Sequence, residues 1–160
     1  MNFKTSLFCL QFFLLTSISF AQNAALWLRY PSISPDGKTI AFGYKGDIYL
    51  VNAQGGTATP LTIHEAHDMM PIWSNDGKSI AFASDRHGNF DVFVMAVSGG
   101  NPTRLTYNSA ADYPYDFSPD NKNVLFGSSR QTSEANIRFY SPRLFQNLYT
   151  VNVVGGKAVL

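Results

Sequence analysis

The stretch Ile33-Ser34-Pro35-Asp36-Gly37-Lys38-Thr39-Ile40-Ala41-Phe42 decides the fold, because the chain writes it three times. It returns as Trp73-Ser74-Asn75-Asp76-Gly77-Lys78-Ser79-Ile80-Ala81-Phe82 and as Phe117-Ser118-Pro119-Asp120-Asn121-Lys122-Asn123-Val124-Leu125-Phe126. The aligned aspartates stand 40 and then 44 residues apart. Asp-Gly or Asp-Asn between two apolar runs supplies the positive φ angles of a tight hairpin turn. The Pro ahead of it in two copies starts the turn and cannot continue a ladder. The order continues downstream, where Asp47-Ile48-Tyr49-Leu50-Val51 matches Asp91-Val92-Phe93-Val94-Met95 and then Asn147-Leu148-Tyr149-Thr150-Val151. A diglycine follows each, at Gly55-Gly56, Gly99-Gly100 and Gly155-Gly156, and the first two lead to Leu61-Thr62 and Leu105-Thr106.

One unit reads as four short antiparallel strands, since Ile-Ala-Phe and Ile-Tyr-Leu-Val are the β-branched and aromatic runs of half-buried strands. The strands are expected at about 28–34, 39–44, 47–52 and 57–62, then at about 69–74, 79–84, 90–97 and 102–106. In the third unit they fall at about 113–118, 123–128 and 146–153, and no segment carries a helical period. Four-stranded units of about 40–45 residues are the blades of a β-propeller. The expected fold is therefore all-β, a partial β-propeller of three four-stranded antiparallel blades at about 26–62, 68–106 and 112–160. The third is expected to be incomplete, because Leu160 falls one residue short of the position held by Leu61 and Leu105. A blade buries its two faces against neighbours, so the chain reads as the front of a longer protein, and the remainder of the same polypeptide is its first expected partner.

Composition agrees. Among 160 residues, 45% are hydrophobic, 14% aromatic and 14% charged, too apolar for disorder. The net charge of +1 lacks the basic excess of a nucleic-acid binder. At the N-terminus, Lys4 precedes the apolar Leu7–Leu15 and then Ser19-Phe20-Ala21, the charged, apolar, small-x-small order of a secretory signal. Residues 1–21 are read as a signal peptide, residues 22–160 as the mature propeller segment, secreted or periplasmic. The apolar run is shorter than the roughly 20 residues a spanning helix needs, so no membrane span is expected after cleavage. Cleavage would remove Cys9, the only cysteine, and leave a chain held together without disulfides.

The Ser-Pro-Asp-Gly-Lys-x-Ile-Ala-Phe unit resembles the propeller repeat shared by TolB and the tricorn-type serine peptidases. Leu28-Arg29-Tyr30-Pro31, Gly46-Asp47-Ile48-Tyr49, Ala83-Ser84-Asp85-Arg86-His87-Gly88-Asn89-Phe90-Asp91 and Gln146-Asn147-Leu148-Tyr149 look like the secreted tricorn-type peptidases in particular. That resemblance implies an N-terminal propeller followed by a second propeller, a PDZ domain and a peptidase core with a Ser nucleophile and a His base. The matching residues lie outside that core, so no catalytic residue is carried over. The implied role is non-catalytic: filtering or channelling peptides to a core outside this chain, with no cofactor expected and a homo-oligomer of the full-length parent among the expected partners. A TolB-like envelope protein-binding propeller and the propeller of a prolyl-oligopeptidase-like enzyme are the alternatives. Asn75, Asn121 and Asn147 depart from the repeat at the turn Pro, the turn Gly and the strand Asp.

His64-Glu65-Ala66-His67 spaces its histidines three apart in a loop, whereas a zincin helix spaces them four apart. The second unit has Asn108 and Ala111 at those places, so a polar connection is expected and no metal or cofactor. In an up-and-down blade, the second-to-third strand turns and the blade-to-blade connections emerge at one end. That end collects His64, His67, Arg86 and His87, then Arg130, Arg138 and Arg143 of the long segment Ser129–Leu144. These seven residues are the candidate peptide- or protein-binding face, since binding groups concentrate on loops held by a rigid scaffold. Mass spectrometry of exported material is expected to find the mature chain beginning at Gln22, and a product that retains Met1 would remove the signal reading.

Overall fold

The computed structural model describes residues 27–130 and 146–160. The proposed signal peptide, Arg138 and Arg143 lie outside the described residues. Among the described residues, eleven strands form three antiparallel sheets. The first holds β1 (Arg29–Ile33), β2 (Thr39–Tyr44), β3 (Asp47–Asn52) and β4 (Thr59–Pro60). The second holds β5 (Asp68–Trp73), β6 (Ser79–Ser84), β7 (Asp91–Ala96) and β8 (Thr103–Arg104). In the third, β9 (Asp112–Phe117), β10 (Asn123–Ser128) and β11 (Asn147–Asn152) are joined by a bridge from Thr150 to Val159. That bridge repeats the pairings Leu50–Thr59 and Val94–Thr103, so a fourth strand begins in each blade. The fourth strands are shorter than the sequence suggests. The diglycines before them hold positive φ, from 93° to 117° in the first two blades where Gly55, Gly56, Gly99 and Gly100 turn the chain. Two residues of ladder then suffice before the chain leaves for the next blade.

The repeated turns work differently from a two-residue hairpin. Only Gly37, Gly77 and Asn121 take positive φ, and the aspartates before them do not. The aspartate instead organises the loop with its side chain. In all three copies the Ser34, Ser74 or Ser118 hydroxyl donates to the Asp Oδ1 at 2.6 Å. The same Ser Oγ accepts from the amide of Thr39, Ser79 or Asn123 at 2.9 Å. The serine hydroxyl and the following lysine amide hold the Asp36, Asp76 and Asp120 carboxyls below their ordinary range.

Blades stack by one rule, applied twice. Ala41 and Ile48 of the first blade meet Trp73, Ile80, Phe82, Phe93 and Met95 of the second. Ala81, Val92 and Leu105 of the second meet Phe117, Val124, Phe126, Tyr149 and Val151 of the third. A small or aliphatic face thus receives a bulky aromatic one, and both interfaces exclude water from apolar surface. The Trp73 indole also donates to the Ser32 carbonyl at 3.0 Å, tying the two blades by a polar bond. The aromatic faces carry cross-strand stacked rings: Phe42–Tyr49, Phe82–Phe93 and Phe126–Tyr149, with centroids 5.6 to 5.9 Å apart.

An ion pair locks the second and third blades. Asp68, fully buried at the start of β5, accepts from Arg86 Nη2 at 2.9 and 2.8 Å. Arg86 Nε donates to Ser84 Oγ at 2.8 Å, and the guanidinium lies 4.9 Å from the Phe93 ring. Asp112, Ser128 and Arg130 repeat the arrangement over Phe126 and Tyr149. In the first blade Leu28, Tyr44 and Gly46 occupy all three positions, and the Tyr44 ring packs edge-on against Tyr49 in place of a guanidinium.

Two departures from the repeat are partners. The Asn75 amide donates to Asn121 Oδ1 at 2.7 Å, and Asn75 Nδ2 donates to the Ser118 carbonyl at 2.9 Å, joining the turns of adjacent blades. Restoring the repeat with Asn75→Pro removes these donors and is expected to destabilise the chain by about 1 kcal/mol. In Asn75→Pro/Asn121→Gly the loss should be less than additive, read from urea unfolding. Arg86→Met leaves the Asp68 charge buried without its partner and is expected to cost about 3 kcal/mol. An unchanged urea midpoint for Arg86→Met would show that the pair does not lock the blade.

Candidate peptide-binding cleft

The turns between second and third strands and the connections between blades are knitted together at one end of the sheets. The Lys45-Gly46 turn, with both residues at positive φ, offers the Gly46 carbonyl to the Asp68 amide at 2.7 Å. The His67 amide donates to Asp85 Oδ1 at 2.7 Å, and the His64 amide donates to Asp47 Oδ1 at 3.1 Å. Between the next two blades, Asn89 Nδ2 donates to the carbonyls of Asn108 and Ala110 at 3.0 and 3.1 Å.

His64 has a local structural task. Its Nδ1 accepts from the Ala66 amide at 2.9 Å, as Asn108 Oδ1 accepts from the Ala110 amide at the same distance. The imidazole replaces an asparagine as the acceptor of a loop turn. The His67 ring stands edge-on to Phe90, with centroids 6.1 Å apart. Both histidines are exposed.

Beside them lies a cleft of about 430 Å³ between the start of β1, the Lys45-Gly46 turn and the connection into β5. Trp27, Tyr30 and Tyr44 give it aromatic surface, Arg29 and Lys45 positive charge, and His64, Glu65 and His67 titratable groups. The Arg29 guanidinium lies 5.0 Å from the Trp27 ring, and the Lys45 ammonium 5.3 Å from the Tyr44 ring. Tyr30 holds φ at 53°, where the pairing of β1 with β2 slips, and Met70 does the same in β5 at 56°. Each slip is a local irregularity in the first strand of its blade.

Of the seven residues expected on this face, His64 and His67 come together at the cleft. Arg86 and Arg130 lie at the same end but are engaged by Asp68 and Asp112, their side chains 12% and 14% exposed. His87 is exposed and stacks on Phe93 at 6.0 Å. Trp27 and Arg29 escaped the sequence reading, because a topological argument on loops leaves out the start of a strand, whereas Lys45 sits in a second-to-third strand turn at the end that argument named and was passed over there. The alternation of aromatic and basic residues in Trp27-Leu28-Arg29-Tyr30 was the available signal. Among the described residues no three His, Cys, Asp or Glu side chains are placed to hold a metal ion, and no helix is long and apolar enough to cross a membrane. The arrangement offers aromatic faces, cations and imidazoles, which are groups for binding.

Comparison with known proteins places the fold. The chain is similar to the solved structure of a putative TolB from Agrobacterium tumefaciens, at 26% identity and a TM-score of 0.69 over 85% of this chain and 49% of that one. It is also similar to TolB from Acinetobacter baumannii, at 25% identity and a TM-score of 0.65 over 82% of this chain and 31% of that one. The tricorn protease structure shares the fold at 16% identity and a TM-score of 0.59, over 78% of this chain and 13% of that one. Among curated sequences, the uncharacterized peptidase YuxL of Bacillus subtilis (strain 168) is 32% identical over 69 residues, 37% of this chain and 10% of that protein. The chain therefore spans less than half the length of each of these relatives. The family described as the tricorn protease N-terminal beta propeller domain matches residues 25–159, all three blades, and the chain belongs to that family.

Proposed function

We propose that the three blades form a non-catalytic propeller segment of an exported tricorn-type serine peptidase. The segment takes extended peptides at the cleft and passes them toward a catalytic core carried elsewhere in the polypeptide. The observation that supports this reading is the cleft itself, where Trp27, Tyr44, Arg29, Lys45, His64 and His67 converge at the loop end of a rigid stack of sheets. Arg29 and Lys45 outnumber Glu65 there, since Asp68 is neutralised by Arg86. The cleft therefore suits a peptide that brings carboxylates and an apolar side chain, the first for the cations and the second for the rings. Secretion or a periplasmic location follows from the N-terminal signal reading and belongs to the same proposal.

A second reading is a TolB-like propeller that binds an envelope protein. The identities of 26% and 25% to the two TolB structures, against 16% to the tricorn protease, favour it. It uses the same loop end but engages a folded surface instead of a free peptide.

Fluorescence anisotropy with labelled acidic, neutral and basic peptides separates the readings. The acidic peptides are expected to bind best, with affinity falling as salt rises. Lys45→Ala and Trp27→Ala are each expected to weaken binding about tenfold, equivalent to about 1.4 kcal/mol. Binding that ignores both substitutions would displace the cleft from this role. Failure of every peptide to bind would favour the TolB-like reading.

A further inference from the structure

The connection from the first blade to the second is built like the next connection, with one acceptor exchanged. Each begins at a buried threonine: Thr62 Oγ1 accepts from the Ile48 amide and Thr106 Oγ1 from the Val92 amide, both at 2.9 Å. Two residues on, a side chain bends back to accept from the amide of an alanine, again at 2.9 Å in both. That acceptor is Asn108 Oδ1 for Ala110 and His64 Nδ1 for Ala66. A carboxamide oxygen accepts whatever the pH, whereas an imidazole nitrogen accepts only while it carries no proton. Histidine is also the side chain whose charge ordinarily changes between pH 5 and 8. The titratable copy of the turn is the one that forms a wall of the cleft, through His64, Glu65, Ala66 and His67.

We propose that His64 is a proton-operated latch on the cleft. Neutral, it closes the turn and fixes the wall. Protonated, it points an N–H at the Ala66 amide, so the turn opens and a bound peptide is released. The charged groups around it favour opening. Arg29 at the start of β1 and Lys45 in the turn between β2 and β3 line the same cleft and repel a new cation. Asp47, at the start of β3, accepts from the His64 amide, and Asp85, in the turn between β6 and β7, accepts from the His67 amide. Asp68 at the start of β5 is held by Arg86. Glu65 is then the neighbouring carboxylate within the connection, set against a second imidazole in His67. Added positive charge also attracts an acidic peptide, but exposed pairs of this kind are screened and weak. The ligand in this proposal rests on the peptide-binding reading of the cleft, whereas the turn responds to protons without any ligand.

Amide spectra of the full chain labelled with 15N-alanine, recorded from pH 8 to pH 5, test the latch with an internal reference. The Ala66 amide is expected to shift and to exchange its hydrogen faster as the pH falls, while the Ala110 amide, bonded to Asn108, stays in place. His64→Asn installs the acceptor that the next connection already uses, and should hold the Ala66 amide still over the whole range. His67→Asn should leave its response intact. Ala66 and Ala110 amides that behave alike in the unaltered chain would overturn the proposal, as would an Ala66 response that survives His64→Asn. Anisotropy with a labelled acidic peptide reads the consequence for the cleft. Between pH 7.5 and pH 5.5 the unaltered chain is expected to lose about fivefold in affinity relative to His64→Asn, the worth of one turn hydrogen bond. An equal response of the two proteins overturns the release step. The spectra decide the latch even where no peptide binds at either pH, an outcome that removes the peptide reading alone.

Discussion

A four-stranded blade has two apolar faces and no interior, and everything else in this structure depends on covering them. The small face of one blade and the aromatic face of the next meet in a fixed sense, so the stack has a direction. Ala41 and Ala81 are as consequential as the rings opposite, since a longer side chain there would hold the next sheet away. The directionality also explains why burial differs so much between equivalent residues. Ile48, Val92 and Leu148 hold one position in three blades, and only the last has no neighbour to cover it among the described residues.

Most of the architecture was legible in the sequence because the repeat states each local rule three times. The second and third strands fall where the alternation of Ile-Ala-Phe and Ile-Tyr-Leu-Val puts them. The fourth strands were read too long, since the spacing from the diglycine to Leu61-Thr62 does not say how many of those residues pair. What those terminal threonines do emerges only in three dimensions: Thr62 Oγ1 accepts from the Ile48 amide and Thr106 Oγ1 from the Val92 amide, each at 2.9 Å. The candidate site was legible only in part. His64 and His67 could be placed at the correct end by topology, but a basic residue on that end can serve the fold as well as a ligand. Arg86 and Arg130 do so, and only the distances to Asp68 and Asp112 distinguish the two uses.

The asparagine departures show how a repeat tolerates variation when the change is matched elsewhere. Asn75 and Asn121 compensate across an interface. Asn147 replaces an aspartate whose counterpart Asp91 is buried, and whose carboxyl burial pushes up against the opposing pull of Arg104. Arg104 Nη2 lies 2.6 Å from Asp91 Oδ2. The third blade has Leu160 at the position of Arg104, and a neutral amide there avoids a carboxylate without its guanidinium.

The turn built from serine, aspartate and lysine has a consequence for how the chain acquires its structure. The bonds its serine and aspartate side chains make link residues at most five apart, so no second blade has to be present for them to form. Contacts this local form on the microsecond scale, whereas stacking brings together residues some forty positions apart, as in the bond from Trp73 to Ser32. Loop closure over that distance carries a larger entropic cost. Hairpins around Asp36, Asp76 and Asp120 are thus expected to form early and independently, with the docking of one sheet on another as the slow event.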